Sequence, residues 1–330
     1  MFRKVGILFL AVMAALVMAP LTWADTLSAP PSNGPADNGV NVPAVFTQWA
    51  RVVRKSYTYG APGGAPVRYL DDWDTWLSIR GSRVVNGQTW YLTSQGTWVS
   101  AGDVRFFPVT QFQGYQFQGD EQGDLGFILE NATHVHAKPA DNANDLGYLA
   151  RYTPVAILGM DNGWFRIADG QWVNPRFVRV VKRTPRPANI GPAEKWIDVN
   201  LTQQTLVAYE GDQPVFATLT STGKGTTPTA TGLFRIYRKL ISHTMAGGTE
   251  DKDPYTLDEV PWSMYFYQGF ALHGAYWHDQ FGAVRSHGCV NLSPADAKFL
   301  FGWTGPVLPA GSNAVGATND NPGTWVYVHY

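Results

Sequence analysis

Apolar and polar residues alternate over short stretches along most of the chain, with turn formers every few positions, which predicts strands far more often than helices. In the C-terminal part, Trp196–Val199 and Thr205–Tyr209 read as strands. The turn Glu210-Gly211-Asp212 then leads into Pro214–Thr220, and together these predict a hairpin. Leu233–Lys239 and Trp325–Tyr330 are further strand candidates. One stretch breaks the alternation. Ser293 is placed to cap a helix, Pro294 opens its first turn, Asp296 follows three residues after the cap, and Phe299, Leu300 and Trp303 share one face.

The pattern also repeats. Trp90-Tyr91-Leu92, Gly96-Thr97-Trp98-Val99 and Val104-Arg105 recur as Trp164-Phe165-Arg166, Gly170-Gln171-Trp172-Val173 and Val178-Arg179, always 74 residues on. An Asn-Gly turn stands upstream of each copy, at Asn86-Gly87 and Asn162-Gly163. Each copy predicts a small β-barrel. The two units, 44–110 and 126–184, resemble bacterial SH3-like modules. Their paired tryptophans are read as core, and His134 and His136, spaced to share one strand face, as surface residues.

The N-terminus reads as a processing segment. Arg3 and Lys4 precede the apolar run Val5–Ala19, which is shorter than the about 20 residues a membrane-spanning helix needs. Thr22-Trp23-Ala24 offers a cleavage site, so 1–24 is expected to be a signal peptide and the body to be exported, to a periplasm or to the cell wall and extracellular space. The alternative is an uncleaved anchor, the one route to a membrane contact. Residues 25–43, rich in Pro, Gly, Ser and Asn, form a linker, and Arg183–Pro192 is a second one before a domain at 193–330.

Composition narrows the function. Hydrophobic residues make up 45% and charged residues 15% of 330, which describes a globular chain; 13 Trp, 15 Tyr, 17 Phe, 34 Gly and 22 Pro suit strands and tight turns. With 25 basic and 26 acidic side chains there is no charge surplus to attract nucleic acid or an anionic membrane surface. There is a single cysteine, Cys289. An exported protein meets oxidising surroundings, where a lone thiol is flagged as reactive.

Its neighbours strengthen that reading. Leu272-His273-Gly274 is followed by Arg285-Ser286-His287-Gly288-Cys289-Val290-Asn291. A thiol is mostly protonated at neutral pH, and a nearby imidazole can take its proton. Gly288 lets the backbone turn sharply, favouring N–H groups aimed at a developing oxyanion. This stretch resembles the YkuD-type L,D-transpeptidase signature, a His followed at a distance by Ser/Thr-His-Gly-Cys, a hydrophobic residue and Asn or Arg. Ser221-Thr222-Gly223-Lys224, Thr227-Pro228 and Thr231-Gly232-Leu233-Phe234 are similar to a second family region. There Ala230 lengthens the usual spacing, a departure assigned to a strand junction and not to the chemistry.

The resemblance implies a mainly β architecture, two SH3-like barrels followed by a β-rich catalytic domain with few helices. It implies Cys289 as the acylated nucleophile, His273 as proton acceptor and donor, and His287 as a pocket-shaping residue. The N–H groups of His287, Gly288 and Cys289 would form the oxyanion hole. Ser286 and Asn291 would orient the loop or the bound peptide, Gly269 and Arg285 would line the cleft, and Tyr255 would sit in a polar insertion, 244–261, acting as a lid. The implied partners are peptidoglycan stem peptides and carbapenem-type β-lactams, and no cofactor is implied.

The acyl-enzyme from a tetrapeptide stem, formed with loss of D-Ala, serves three outcomes: cross-linking, L,D-carboxypeptidase action and protein anchoring. Cross-linking is the default. A papain-like NlpC/P60 peptidase has its histidine well downstream of the cysteine, whereas only His329 follows Cys289 here. A metal site from His273, His278, His287 and Cys289 lacks a ligand spacing. A wall-binding protein with an inactive catalytic domain is the non-enzyme alternative.

Overall fold

Asn86 and Gly87 (φ 52° and 77°) and Asn162 and Gly163 (46° and 77°) all adopt left-handed backbone, the conformation that closes a two-residue hairpin turn. The computed structural model describes residues 48–119, 121–248 and 253–330. The expected signal peptide (1–24) and linker (25–43) lie outside the described residues.

The first unit contains β1 (Gln48–Val52), β2 (Ser56–Tyr59), β3 (Pro66–Leu70), β4 (Asp74–Val85), β5 (Gln88–Thr93), β6 (Trp98–Ser100) and β7 (Val104–Phe106). They pair antiparallel in the order β7-β1-β4-β5-β6-β2-β3, around a core of Ala50, Val52, Leu70, Leu77, Ile79, Val99 and Val104. A short strand, β8 (Tyr115–Gln116), follows. The second unit holds β9 (Asp124–Ile128), β10 (Thr133–His136), β11 (Asp145–Leu149), β12 (Pro154–Ile157), β13 (Gly159–Asp161), β14 (Trp164–Ala168), β15 (Gln171–Val173) and β16 (Val178–Val180). Its sheets run β11-β10-β15-β14-β13 and β12-β9-β16.

The sequence repeat is a structural repeat. A 3₁₀ turn at Ala101–Asp103 precedes β7, and its counterpart Pro175–Phe177 precedes β16; Ser100 and Asn174 accept the capping N–H of each. Trp90, Trp98 and Trp164 are buried, as core tryptophans should be, and Trp172 is half-buried. His134 is exposed and pairs with Asp145 at 2.5 Å, while the His136 ring stands 4.9 Å from Trp164.

The C-terminal region comprises β17 (Lys195–Asn200), β18 (Thr205–Glu210), β19 (Gln213–Leu219), β20 (Gly232–Arg235), β21 (Arg238–Gly247), β22 (Tyr255–Tyr267), β23 (Phe270–Gly274), β24 (Val290–Leu292), α1 (Pro294–Trp303), β25 (Ala314–Gly316) and β26 (Trp325–His329). One sheet runs β20-β26-β17-β18-β19-β8, so the segment between the first two units supplies an edge strand. The other runs β25-β21-β22-β23-β24. Ile197, Val199, Leu206, Met264, Leu272, Val290, Leu300 and Val326 belong to the core they share with α1. The chain is mainly β, with one α-helix among the described residues.

Three expectations change in detail. Leu233–Lys239 is two strands. Ile236 N–H bonds Thr324 O in one sheet and Tyr237 N–H bonds Tyr265 O in the other, so the chain switches sheets there. The insertion at 244–261 is mostly the continuation of the β21–β22 hairpin. The start of β22 pairs in parallel with β4, Tyr255 opposite Asp74 and Leu257 opposite Trp76, which joins the first unit and the second C-terminal sheet into twelve strands. At α1, Ser293 Oγ accepts from Asp296 N–H as expected, but the Asp296 carboxylate bonds Gly114 N–H (2.8 Å) and the Thr218 hydroxyl (2.6 Å). Burial pushes that carboxyl up to about 6. The other end of the helix is served by buried Lys239, whose Nζ donates to the carbonyls of Phe301 and Thr304. Among the described residues, no helix is long and apolar enough to cross a membrane.

Candidate active site

The turn before β24 requires glycine at 288. Its φ is +119°, and a Cβ there would lie 2.2 Å from the Phe270 ring. Ser286 closes the turn, its hydroxyl donating to Cys289 O at 2.5 Å and accepting Gly288 N–H at 3.0 Å. Of the three N–H groups expected to form an oxyanion hole, that of Gly288 is engaged by Ser286, and those of His287 and Cys289 make no hydrogen bond among the described residues.

The segment 221–229 cradles this turn. Arg285 and Ser286 N–H both bond Thr222 O, and Lys224 N–H bonds Ser286 O. Buried Thr229 accepts Gly223 N–H at 2.9 Å and donates to Gly288 O at 2.8 Å. The Thr229–Ala230–Thr231 stretch, expected to affect only a strand junction, thus directly supports the residue before the thiol.

Parallel pairing of β23 with β24 sets Leu272 opposite Val290 and His273 opposite Asn291. This brings the His273 strand beside the Cys289 turn. Cys289 is half-buried, and its thiol faces the Gly269 carbonyl at 3.9 Å; no hydrogen bond joins it to His273 among the described residues. Burial pushes the thiol up to about 11, so at neutral pH it is protonated. Burial drives His273 down to about 4, so its ring is neutral. His273 Nδ1 lies 3.4 Å from Gly274 O. A carbonyl can only accept, so the ring proton belongs on Nδ1 and Nε2 is left as the base.

Asn291 is buried, and its side-chain amide lies 2.9 Å from His278 Nε2. His278 Nδ1 accepts Gln280 N–H at 3.2 Å. A neutral imidazole then carries its proton on Nε2, the nitrogen that faces the Asn291 amide. Burial first, then the charges of Arg285, His273 and Arg151, hold His278 down at about 3. His278, read from sequence as a loop contact without a motif role, therefore fixes Asn291. Among the described residues no group of three His, Cys, Asp or Glu side chains converges as metal ligands.

The expected cleft residues meet the thiol from several sides. The Tyr255 and His287 rings meet tilted at 32° with centroids 4.8 Å apart, and burial, then the nearby Cys289, raise the Tyr255 hydroxyl. His287 Nε2 lies 3.3 Å from the Asp253 carboxylate, which also pairs with Lys224. Arg285 donates to Gln280 at 2.6 Å. Gly269 does not line the cavity; it touches the site through its carbonyl.

His273, Ser286, His287, Cys289, Arg285, Asn291 and Tyr255 open on one cavity of about 480 Å³. Lys224, Asp253 and Trp277 line it too, and so do Arg51, Trp73 and Asp74 of the first unit. Sequence reasoning missed these last three. The loop between β23 and β24 is held from both sides. Trp49 stacks on Tyr276 at 4.2 Å, and Tyr152 of the second unit donates to Asp279 O and accepts Phe281 N–H.

The YkuD family model, described as the L,D-transpeptidase catalytic domain, matches residues 194–328. A 90-residue stretch is 34% identical to L,D-transpeptidase 2 of Mycobacterium tuberculosis (strain CDC 1551 / Oshkosh), covering 25% of this chain and 22% of that protein. The chain thus spans less than a quarter of the length of this curated relative. It is also similar to a crystal structure of a mutant Enterococcus faecium L,D-transpeptidase (27% identity, 41% of this chain and 50% of that one, TM-score 0.33). A similar likeness holds for the NMR structure of the catalytic domain from the E. faecium L,D-transpeptidase (28% identity, 42% and 98%, TM-score 0.33). Residues 194–328 of this chain thus match the L,D-transpeptidase catalytic domain model of the YkuD family, and Cys289 and His273 lie inside the match.

Proposed function

We propose that the protein is a cysteine-dependent L,D-transpeptidase that cross-links peptidoglycan stem peptides outside the cytoplasm, with its two repeat units as SH3-like accessory modules. One observation carries the reading. Within the matched domain, the only thiol of the chain and a buried neutral imidazole open on the same cavity from adjacent strands.

The reaction starts from a neutral thiol and a neutral imidazole. Rotation about the Cys289 Cα–Cβ bond carries Sγ off the Gly269 carbonyl and toward the bound peptide. As Sγ attacks the carbonyl of the L,D-bond of a tetrapeptide stem, the thiol proton passes to His273 Nε2. The carbonyl electrons move to oxygen, stabilised by the N–H groups of His287 and Cys289. Collapse breaks the C–N bond, His273 returns the proton to the leaving amine, and D-Ala departs. The thioester on Cys289 is then attacked by an amine of a second stem, whose proton His273 accepts and passes to the departing thiolate. A carbapenem-type β-lactam would acylate the same sulfur, the strained amide opening without loss of a fragment.

Product analysis tests this reading. Wild type and Cys289→Ala are incubated with a disaccharide-tetrapeptide. The expected result is Cys289-dependent release of D-Ala together with a cross-linked dimer. Release of D-Ala without a dimer would replace cross-linking by carboxypeptidase action, and no release by wild type would contradict the reading.

A further inference from the structure

The first β-unit does more than precede the catalytic domain in the chain; it is built into it. β22 continues the sheet of β4, and Ser78 and Arg80 both bind Glu259 on that strand. Trp49 donates its indole N–H to Asp258 O at 3.1 Å, the same carbonyl that accepts the Tyr276 hydroxyl at 2.7 Å. Trp76, Leu257, Val260 and Tyr276 form one buried cluster across the junction. A wall fixed in this way holds its cavity-facing residues in place relative to Cys289.

Those residues have unused bonding capacity. Arg51 and Asp74 stand as a loose pair, Nε to Oδ1 3.9 Å, with side chains 44% and 41% exposed. Asp74 Oδ1 also accepts the Trp76 indole N–H at 2.9 Å, which orients the carboxylate and leaves Oδ2 to the cavity. The terminal nitrogens of Arg51 make no hydrogen bond among the described residues. Trp73 beside them keeps 36% of its surface exposed. Two other charged side chains on the cavity wall are already engaged: Lys224 with Asp253, and Arg285 with Gln280. An exposed ion pair at this separation contributes little by itself, so opening it to a ligand costs little. A guanidinium offers paired donors to a carboxylate, and a carboxylate accepts from an ammonium.

We propose that Arg51, Trp73 and Asp74 form a specificity-determining wall of the catalytic cleft that reads an amino-acid centre bearing both a free carboxylate and a free ammonium. Arg51 takes the carboxylate, Asp74 the ammonium, and Trp73 covers the aliphatic stem that carries this centre. This rests on the transpeptidase reading above and adds to it the chemistry by which a stem peptide is selected.

The test compares three tetrapeptide probes with the full chain: one with a free carboxylate and amine on its diamino-acid side chain, one with that carboxylate amidated, and one with that amine acetylated. The readout is single-turnover D-Ala release on acylation of Cys289, because the acetylated probe cannot serve as amine acceptor. Wild type is expected to prefer the free probe over either by about tenfold or more in this second-order rate. Arg51→Ala should bring the free-to-amidated ratio to within about twofold of unity, and Arg51→Lys should restore part of it. Asp74→Asn should erase the free-to-acetylated preference alone. Because each ratio is taken within one variant, a general loss of folded protein cancels, and melting curves check it independently. Equal turnover of all three probes by wild type, or variants that keep the wild-type ratios, would overturn the inference and leave the transpeptidase reading standing. Turnover of none of them, with Cys289 unacylated, would overturn that reading and the inference with it.

Discussion

Burial sets the resting state of the two side chains proposed to react: it holds the Cys289 thiol up at about 11 and His273 down at about 4. Between these limits thiol and imidazole are both neutral, so the proton moves during attack and no thiolate–imidazolium pair is stored. The rate of Cys289 acylation by a carbapenem is therefore expected to stay flat from roughly pH 5 to 9. It should fall on acidification with a midpoint near 4, where His273 gains its proton and ceases to be a base. Stopped-flow fluorescence across this range checks it, and a midpoint near 6.5 would mean an imidazole that is not desolvated. That Cys289, Gly288 and His273 would meet at one cavity was suggested by the sequence because the motif is nearly contiguous and its chemistry restrictive. The pairing of His278 with Asn291 was not, since an imidazole on a loop carries no local mark of the partner it finds across 13 residues.

At the scale of elements, the nucleophile turn depends on the segment 221–229 as much as on its own sequence. Thr229 satisfies one buried donor and one buried acceptor, Gly223 N–H and Gly288 O. Thr229→Val keeps the volume and leaves both groups unpaired, at a cost of about 2–3 kcal/mol, whereas Thr229→Ser keeps both bonds. Denaturant unfolding should separate the two variants by that amount, with Cys289 acylation slowed about tenfold or more in the valine variant only; equal stability would show that the cradle is not needed. The locally encoded elements were legible: the Asn-Gly turns, the β17–β18–β19 meander and the Ser293 cap each depend on residues a few positions apart. The sheet switch at Ile236 and the docking of β22 on β4 were not. The latter joins residues about 180 positions apart, as Ser78 and Glu259 illustrate, and the alternation of either strand is the same whichever neighbour it takes.

Over the whole molecule, the two repeat units grip the loop that joins His273 to Cys289. Trp49 and Trp76 pack on Tyr276 from one side, and Tyr152 and Arg179 bind Asp279, Phe281 and Gly282 from the other. The repeat could be read from the sequence, but not the role of tryptophans of the first unit in a junction, because Trp49 lies outside the repeated motif. Trp49 is half-buried, so Trp49→Ala should cost about 2–3 kcal/mol, somewhat less than a fully buried aromatic. Trp49→Phe, which keeps the stack and loses the bond to Asp258 O, should cost about 1 kcal/mol. Calorimetry of the full chain tests this, and a change below about 0.5 kcal/mol in the alanine variant would show that the first unit is only tethered. The first unit and the C-terminal region line one cavity, which we propose as a site of acyl transfer on Cys289. The most direct test of that transfer is rapid acid quench of wild type with a tetrapeptide stem, followed by intact-mass measurement and peptide mapping. The expected product is an adduct equal to the stem less D-Ala, located on Cys289; an unmodified Cys289 while D-Ala accumulates, or an adduct on any other residue, would rule out acyl transfer on this thiol.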